Sequence, residues 1–448
     1  MNANTNTSRT SRRIAIWGNM NNVGFALLRY LRDLGVDAHL LPFSNEGQGT
    51  LSHFRPDADT WWIDRWSDFI HPLPFPDSQV SALDPPLSWA LAAKSWIGNL
   101  RNKDVQVLST ISRPSLRCLA PESDAIIGTG ITPAVLNRIG RPIDIFFPYA
   151  TQIEYISSYD FGAHGPARGA MARLVNAQVR RRQVSGVQKA GTIISFEQER
   201  NGETLRSIGR TSLALALPMV YVERDMPVAP PCELHAHALQ RISESDISIF
   251  HHARLLWRKP EQVSAEDWKI EGKNSHWLFH AIAGLCSRRP SARPLLLVAE
   301  YGPDVGATKM LAEELGIARF IIWLPLMFRK EIMWLLDKVD VGVGEFYDCH
   351  GMIWGGTGWE VMAAGRPLVQ GFNFEEGEFA STFGYEEPPF LKVRDQQDVL
   401  RHLTCLLDDS AYAEQVGLDC RKWFNTHNGT ALAMKWLAAL PENQRPAT

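Results

Sequence analysis

The sequence lacks long hydrophobic runs, paired cysteines and an excess of charge of one sign. Its longest apolar stretch, residues 320–328, is interrupted by Pro325 and falls far short of the ~20 residues that a membrane-spanning helix needs. The six cysteines show no CxxC spacing, so we expect buried free thiols in a reducing compartment. A net charge of −3, from 46 basic and 49 acidic residues, argues against a protein that binds nucleic acid through a basic surface.

The amino terminus also lacks the apolar segment of a signal peptide. We therefore predict a flexible tail over residues 1–12 and a cytoplasmic protein. Residues 166–189 carry six basic side chains and no acidic one, and their apolar stripe consists of Met171, Leu174, Val175 and Val179. Such a helix can lie on anionic lipid as a peripheral contact at the inner membrane face, but we favour a solvated basic face with the stripe packed into the domain.

The first half opens with a strand, a glycine loop and a helix. Residues 13–17 form an apolar run that ends at Gly18, and a second strand is predicted over residues 36–43. The loop lacks the G-x-G-x-x-G spacing, and no acidic residue ends the second strand, so we do not expect a dinucleotide site. Gly18, Asn19 and Gly24 instead predict a helix start whose backbone N–H groups suit a phosphate or a sugar hydroxyl.

Short apolar runs alternate with helical patterns along the whole chain, which predicts an α/β protein with parallel sheets buried on both faces. The runs lie at residues 105–109, 124–130, 143–147, 192–196, 247–257 (a strand running into a loop), 295–300, 319–325, 339–346 and 367–371. Residues 60–97 interrupt the alternation with five tryptophans and five prolines, and we interpret them as an elaborated surface loop. The polar, proline-rich residues 218–245 are interpreted as the junction between two sheets.

The second half carries four features in a fixed order. Arg254 follows the first strand, and Lys273 in EGKN opens the next helix. LPLMFRKEIMWLLDKVDVGVGEF then gives strand, turn, helix and strand, and GGTGWEVMAAGRPLV places a glycine turn before an acidic residue and a helix of small residues. In these features residues 245–448 resemble the donor domain of retaining GT-B glycosyltransferases of the family-4 type.

The resemblance implies a GT-B fold, which is two Rossmann-like α/β domains that face an interdomain cleft. An acceptor-binding domain is expected over residues 13–225 and a nucleotide-sugar donor domain over residues 245–425. Residues 426–448 are then expected to form the helix that crosses back to the first domain. Of the 15 tryptophans, those of residues 60–97 would provide platforms for sugar rings or for a lipid-linked acceptor.

The resemblance also implies how the donor diphosphate is bound. Arg254 and Lys273 would stabilise the negative charge that grows on the leaving phosphate. A glycine turn lets the backbone approach a ligand closely, and the helix that follows presents free N–H groups to the diphosphate. This donor-binding turn comprises Gly355, Gly356, Thr357 and Gly358.

Acidic residues would bind the rest of the donor. By resemblance, Glu360 accepts hydrogen bonds from the ribose hydroxyls. The family has a second Glu eight positions earlier, where this chain has Met352. Glu345, Asp348 and His350 are the candidates to replace it, and we favour Asp348 because its DCHG segment follows a strand end.

On the amino-terminal side, His164 and Glu154 are both candidates to face the anomeric carbon, and neither has a spacing that singles it out. His235 and His237 have a metal-like spacing but no third ligand, so no metal site is expected there. The resemblance implies no cofactor besides a UDP-sugar or GDP-sugar co-substrate and no metal requirement. No lysine lies in the context of a pyridoxal-phosphate site, which argues against a phosphorylase.

The sequence therefore predicts a retaining hexosyltransferase. Its partners would be a nucleotide-sugar donor and a glycan, lipid-linked or small-molecule acceptor, as in polysaccharide or glycoconjugate biosynthesis. Two alternatives stay open. One is a nucleotide-sugar epimerase-like enzyme of the same fold, and the other is a non-catalytic nucleotide-sugar-binding protein, which Met352 in place of Glu makes plausible.

Overall fold

The chain folds into two compact units. A computed structural model describes residues 12–46, 54–90, 93, 111–120, 122–149, 153–156, 170–195 and 198–441. Unit 1 comprises Met1–Pro56, Trp62–Tyr221 and Thr430–Thr448. Unit 2 comprises Asp57–Trp61 and Val222–Gly429. A five-residue segment from the amino-terminal half thus belongs to unit 2, which the sequence did not indicate.

Unit 1 is built on a parallel sheet of five strands. These are β1 (Arg13–Trp17), β2 (Asp37–Leu41), β3 (Ala125–Gly128), β4 (Ile145–Phe146) and β5 (Thr192–Ile193). The strand order is β2-β1-β3-β4-β5, and Trp17 pairs with both Leu41 and Gly128. The chain therefore changes direction across the sheet between β1 and β3, and that reversal is the switch point where ligands of open parallel sheets bind.

Unit 2 is built on a second parallel sheet, of six strands. These are β6 (Ile247–His251), β7 (Pro294–Ala299), β8 (Ile321–Leu324), β9 (Val341–Val343), β10 (Leu368–Gly371) and β11 (Leu391–Val393). Their order is β11-β10-β9-β6-β7-β8, so the switch point lies between β6 and β9. Most of these strand residues are buried, as expected for a sheet covered by helices on both faces.

Helices connect the strands. In chain order they are α1 (Val23–Asp33), α2 (Pro56–Asp59), α3 (Arg113–Leu119), α4 (Thr132–Asn137), α5 (Ala170–Gln188), α6 (Gln198–Ser207), α7 (Glu233–Ser243), α8 (Ala265–Glu271), α9 (His276–Arg288), α10 (Val305–Glu314), α11 (Arg329–Leu336), α12 (Gly356–Ala364), α13 (Glu378–Phe383), α14 (Gln396–Asp408), α15 (Ser410–His427) and α16 (Gly429–Ala438). Short 3-10 turns lie at Met20–Asn22, Ile63–Arg65, Ser67–Phe69, Gln79–Ala82 and Ala318–Phe320.

Part of the tryptophan-rich segment belongs to the core of unit 1, so its interpretation as an elaborated surface loop was correct only in part. Leu73, Phe75 and Leu83 are fully buried, and the Phe75 ring packs edge-on against Trp17 at a centroid distance of 6.0 Å. Asp68 and Trp89 are exposed, and the Trp89 side chain is 63% exposed.

Asp84 holds this segment in place through three arginines from three helices or helix ends. Its carboxylate accepts hydrogen bonds from Arg113, Arg138 and Arg182. Burial alone would raise the pKa of Asp84, but the hydrogen bonds and the positive charges of the arginines hold it well below its usual range. The anchor explains part of the basic run in α5, because Arg182 binds inward and does not face solvent.

The apolar face of α5 differs from the predicted stripe. Val175, Val179 and Val187 are buried, whereas Leu174 is 58% exposed. Residues 157–169 lie outside the described residues, so only part of the predicted basic helix can be compared. Contact of this helix with lipid stays a prediction.

The junction and the carboxyl terminus have defined partners. The interpretation of residues 218–245 as a linker missed α7, whose His235 is buried against the Trp334 ring. In unit 1, the Trp436 indole of α16 donates to the carbonyl of Ala216 at 3.2 Å and packs on Phe147. No helix among the described residues is long and apolar enough to cross a membrane.

The cysteines are free but mostly not buried, which corrects the expectation of buried thiols. Cys420 is buried, whereas Cys118, Cys232 and Cys405 are exposed. The two others, Cys286 and Cys349, are partly exposed.

Candidate functional site

The predicted donor residues lie at the switch point of the unit 2 sheet. Arg254 stands in the loop after β6, Lys273 precedes α9, and Glu345 follows β9. Gly355 then begins α12. The carboxyl ends of β6 and β9 are neighbours, so the fold brings segments that are up to 100 residues apart to one edge of the sheet.

Lys273 is the centre of a small polar cluster. Its ammonium donates to the carboxylate of Glu345 and to the Tyr347 hydroxyl at 2.8 Å. The Tyr347 hydroxyl in turn donates to Glu345 Oε2 at 2.5 Å, and the Gly355 N–H donates to the same carboxylate. Burial would raise the pKa of Glu345, but Lys273 and these donors outweigh it and lower the pKa. The cluster therefore holds an ionised Glu345 beside the amino end of α12.

The glycine turn is shaped by close packing as well as by any ligand. A Cβ on Gly355 would lie 2.7 Å from Glu345 Oε2, and one on Gly358 would lie 2.6 Å from Trp354 Cδ1. The N-cap residue Gly355 offers no side chain to cap α12, and the Glu345 carboxylate accepts its N–H instead. Gly356, Thr357 and Gly358 form the first turn at the electropositive end of the helix. The arrangement can accept an anion there.

Arg254 is exposed, and among the described residues its side chain makes no hydrogen bond or ion pair. It lies three residues after the end of β6. An exposed guanidinium without such bonds can donate two parallel hydrogen bonds to a phosphate group.

Glu360 is less free than the resemblance implied, because its carboxylate is part of a buried ion-pair chain. One oxygen accepts from His252 at 2.8 Å and the other from Arg329 at 2.7 Å. Arg329 also binds Asp59 at 2.7 Å. Burial would raise the pKa of Glu360, but the His252 hydrogen bond and the Arg329 charge lower it overall. These partners occupy part of the acceptor capacity predicted for ribose.

Sequence reasoning missed His252, Arg329 and Asp59. One signal was present for Arg329, because it is the first residue of α11, where a positive charge opposes the helix dipole. A buried arginine at that position must be compensated by acidic side chains, because both the helix dipole and burial disfavour its positive charge. Nothing in the sequence pointed to Asp59, which lies 270 residues away.

The residues proposed to replace the missing Glu take different positions. Asp348 is exposed and has no hydrogen bond among those that the structure describes. His350 pairs with Glu378 at 2.7 Å. Glu345 alone of the three acidic or basic candidates lies in the Lys273 cluster.

The tryptophans beside the glycine turn are core residues and not platforms. Trp354 and Trp359 are each less than 5% exposed, and their rings are 5.2 Å apart. Both pack on Trp423. Their role is to fix α12 against α15.

In unit 1, the predicted glycine loop has mainly structural contacts. Gly18 has φ +92°, and a Cβ on Gly24 would lie 2.4 Å from the Gly18 carbonyl. The Asn19 side chain caps the start of α1 by accepting from the Phe25 N–H at 2.9 Å. The Asn19 N–H donates to Glu46 at 2.7 Å, so a carboxylate already takes the N–H group predicted for a phosphate. His164 lies outside the described residues, and Glu154 is buried after β4.

This chain is similar to known proteins in structure rather than in sequence. No protein-family model matches the sequence. No curated protein matches it either. Solved structures match over nearly the whole chain, and the similar ones include WaaG, a glycosyltransferase involved in lipopolysaccharide biosynthesis, at 12% identity and a TM-score of 0.50, with 96% of this chain and all of WaaG covered.

Two further solved structures are similar to this chain over nearly its whole length. Sucrose-phosphate synthase from Thermosynechococcus elongatus has 12% identity and a TM-score of 0.51, with 95% of this chain and 98% of that chain covered. S. aureus TarM, solved in complex with UDP, has 9% identity and a TM-score of 0.52, with 96% and 100% covered. This chain has the GT-B glycosyltransferase fold, and the prediction of two Rossmann-like α/β domains is confirmed.

Proposed function

We propose that this protein is a glycosyltransferase that moves a sugar from a nucleotide diphosphate to a glycan, lipid-linked or small-molecule acceptor. The observation that carries the proposal is the meeting of Lys273 with the amino end of α12, where the N-cap residue Gly355 has no side chain of its own. Lys273 and the Gly355 N–H bind the same carboxylate of Glu345, so both electropositive groups face one point. A diphosphate is well matched to a helix amino end combined with a lysine.

The reaction follows from the charge of the leaving group. The bond between the anomeric carbon and the diphosphate oxygen breaks, and a bond from the acceptor oxygen to that carbon forms. We propose that the acceptor proton moves to the departing phosphate oxygen and that the sugar keeps its configuration. Lys273 and Arg254 then stabilise the negative charge that develops on the diphosphate, and we propose that no metal ion is required.

Glu345 replaces Asp348 in our assignment of the donor-sugar contact. Glu345 forms an ion pair with Lys273. A bound diphosphate would compete for the lysine ammonium, and the Glu345 carboxylate would then be available to accept hydroxyl groups of the sugar. Asp348, which is exposed, has no comparable neighbour.

Glu360 remains the proposed ribose contact, but only part of its hydrogen-bonding capacity is available for the ribose. A carboxylate offers about four lone-pair sites, and His252 and Arg329 use two of them. The remaining sites can accept ribose hydroxyls while the two basic partners fix the carboxylate in position. Glu360→Gln is therefore expected to raise the KM for the donor more than it lowers kcat.

A donor screen tests the proposal. The full-length protein is incubated with UDP-glucose, UDP-N-acetylglucosamine, GDP-mannose and TDP-glucose, with and without acceptor extracts, and release of the free nucleotide is followed. We expect release from one donor, and a loss of about 100-fold or more in kcat for Lys273→Ala. Addition of EDTA should leave the rate unchanged.

Lys309→Ala is the matched control, because Lys309 is a half-exposed lysine of the same unit that pairs with Glu300 away from the switch point. Its activity should equal that of the unmodified protein. No binding and no nucleotide release with any donor would contradict the proposal. Tight binding without release would favour the non-catalytic nucleotide-sugar-binding alternative. A cytoplasmic location is part of the same proposal and rests on the sequence.

A further inference from the structure

The carboxyl edge of the unit 1 sheet holds three acidic side chains from three segments. Glu46 follows β2, Asp77 lies in the segment after Phe75, and Glu154 follows β4. The Asp77 N–H donates to the side chain of Asn45, the residue before Glu46, at 2.8 Å. Burial raises the pKa of Glu46 and of Glu154, and the nearby Asp77 carboxyl group raises both further. The three carboxyl groups therefore form one cluster, which we call the acidic edge, at the switch point between β1 and β3.

Backbone groups at the strand ends fix two members of the acidic edge. Both oxygens of Glu46 accept N–H groups at 2.7 Å, one from Asn19 and one from Phe43. The Asp77 carboxylate accepts the Ile131 N–H, and a Cβ on Gly130 would lie 3.0 Å from Asp77 Oδ2. The acidic edge is thus held rigidly by the loops after β1, β2 and β3.

Two buried polar atoms at the same edge have no partner among the described residues. Glu154 Oε2 and Thr129 Oγ1 make no hydrogen bond, although their residues are only 7% and 3% exposed. A buried polar atom without a partner costs about 1–3 kcal/mol. An unpartnered carboxylate oxygen next to two other carboxyl groups points to a ligand that donates hydrogen bonds.

The charge of the acidic edge is uncompensated. Among the described residues, no lysine, arginine or histidine forms an ion pair with Glu46, Asp77 or Glu154. Burial raises the pKa of Glu46 to about 8, that of Glu154 to about 7 and that of Asp77 to about 6. The N–H groups of Asn19 and Phe43 oppose this rise at Glu46, because they favour the ionised carboxylate. A positive ligand would relieve this conflict, because it lowers the cost of ionising the whole cluster.

We propose that the acidic edge of unit 1 binds a ligand that carries a protonated primary amine beside hydroxyl groups, as an amino sugar does. The ammonium would bind Glu154 Oε2 and Asp77, and the hydroxyls would reach Thr129. If the proposed function holds, this ligand is the acceptor, since unit 2 carries the donor site. The inference thus rests on the proposed function for its role, but the binding itself does not.

The test compares two sugars that differ in charge. Glucosamine and N-acetylglucosamine are titrated against the full-length protein at pH 7 by ligand-observed NMR and by calorimetry, without any nucleotide. Glucosamine should bind at least tenfold more tightly. Its binding should also release protons, because the ammonium ionises carboxyl groups of the acidic edge, and the measured heat should then depend on the ionisation enthalpy of the buffer.

Variants localise the effect. Glu154→Gln should weaken glucosamine binding about tenfold and leave N-acetylglucosamine unaffected, whereas Asp68→Asn, at an exposed acid of the same unit, should change neither. Equal binding of the two sugars would overturn the inference, and so would glucosamine binding that Glu154→Gln leaves intact. Tighter binding of Ca²⁺ than of glucosamine in the same titration would overturn it as well. The comparison of the two sugars needs no variant, so it decides the question even if Glu154→Gln does not fold. Because no nucleotide is present, a failed donor screen and a failed amine test are distinguishable.

Discussion

Replacement of Arg329 by methionine is the perturbation for which the structure of unit 2 gives the clearest expectation. The Arg329 side chain is 10% exposed and makes one 2.7 Å hydrogen bond to Asp59 and one to Glu360. Methionine keeps most of the volume but removes the charge. Two buried carboxylates then lose their shared cation, while His252 still binds Glu360.

The expected cost is large for a single substitution. Breaking a buried ion pair by removal of one partner costs about 3–5 kcal/mol, and loss of two charge-assisted hydrogen bonds, at about 1.5–3 kcal/mol each, is of the same size. We therefore expect the free energy of unfolding of unit 2 to fall by about 4 kcal/mol. For a unit of about 200 residues this corresponds to a decrease in Tm of about 8–16 °C.

The pH dependence provides a sharper signature. Burial raises the pKa of Glu360, whereas the His252 hydrogen bond and the Arg329 charge lower it, so removal of Arg329 raises this pKa relative to that in the unmodified protein. The folded variant then binds more protons than the folded unmodified protein, and the difference in stability between the two must grow as the pH rises through that pKa. The difference in Tm between Arg329→Met and the unmodified protein should therefore be greater at pH 8 than at pH 5.

Urea and thermal unfolding followed by tryptophan fluorescence measure both quantities. Arg258→Met, at an exposed arginine of the same unit, serves as the control and should change the free energy by less than about 0.5 kcal/mol. Adding Glu360→Gln to Arg329→Met should recover part of the loss. A loss below about 1 kcal/mol for Arg329→Met would refute the account of a buried, mutually dependent ion-pair chain.

Two further substitutions test the packing of each unit. Asp84→Asn should lower the free energy of unfolding of unit 1 by about 3–5 kcal/mol at pH 7, and because the pKa of Asp84 lies below its usual range, the difference should shrink in urea titrations as the pH falls below about 4. Gly358→Ala places a Cβ 2.6 Å from Trp354 and should cost about 1–3 kcal/mol, whereas Gly306→Ala, at a helical glycine with open space, should stabilise by about 0.5–1 kcal/mol. Thermal unfolding checks the glycine pair, and equal effects would contradict the packing argument.

Most strands of both sheets could be predicted from the sequence because a parallel strand covered on both faces must be continuously apolar. The runs at residues 13–17 and 295–300 are examples, since β1 and β7 occupy nearly the same positions. The strand β11 was not predicted, and the predicted run at residues 105–109 lies outside the described residues. The glycine turn before Glu360 was also visible, because a helix that packs closely at its amino end excludes side chains there. Residues 60–97 were misinterpreted in part because prolines conceal the buried positions of Leu73 and Phe75.

The candidate site was predictable only in part. Lys273 and the turn at Gly355 were proposed through the family resemblance, and the structure brings them together through Glu345. The preference for Asp348 over Glu345 did not anticipate the ion pair between Glu345 and Lys273, because two acids only three residues apart in one loop look equivalent in sequence. Which of them faces inward depends on where the Lys273 ammonium lies, and that is set by a different segment of the chain.

The sequence by itself determined the α/β class, two parallel sheets and the position of the glycine turn, because periodicity and backbone conformation are local properties of the chain. The tertiary structure alone decided which charges meet. Asp59 and Arg329 form an ion pair although they lie 270 residues apart in the chain. Glu46, Asp77 and Glu154 lie at one edge of a sheet. Lys273 pairs with Glu345 and not with Asp348. The physical reason is that the energy of a buried charge depends on its neighbours in space, and local patterns carry no record of those neighbours.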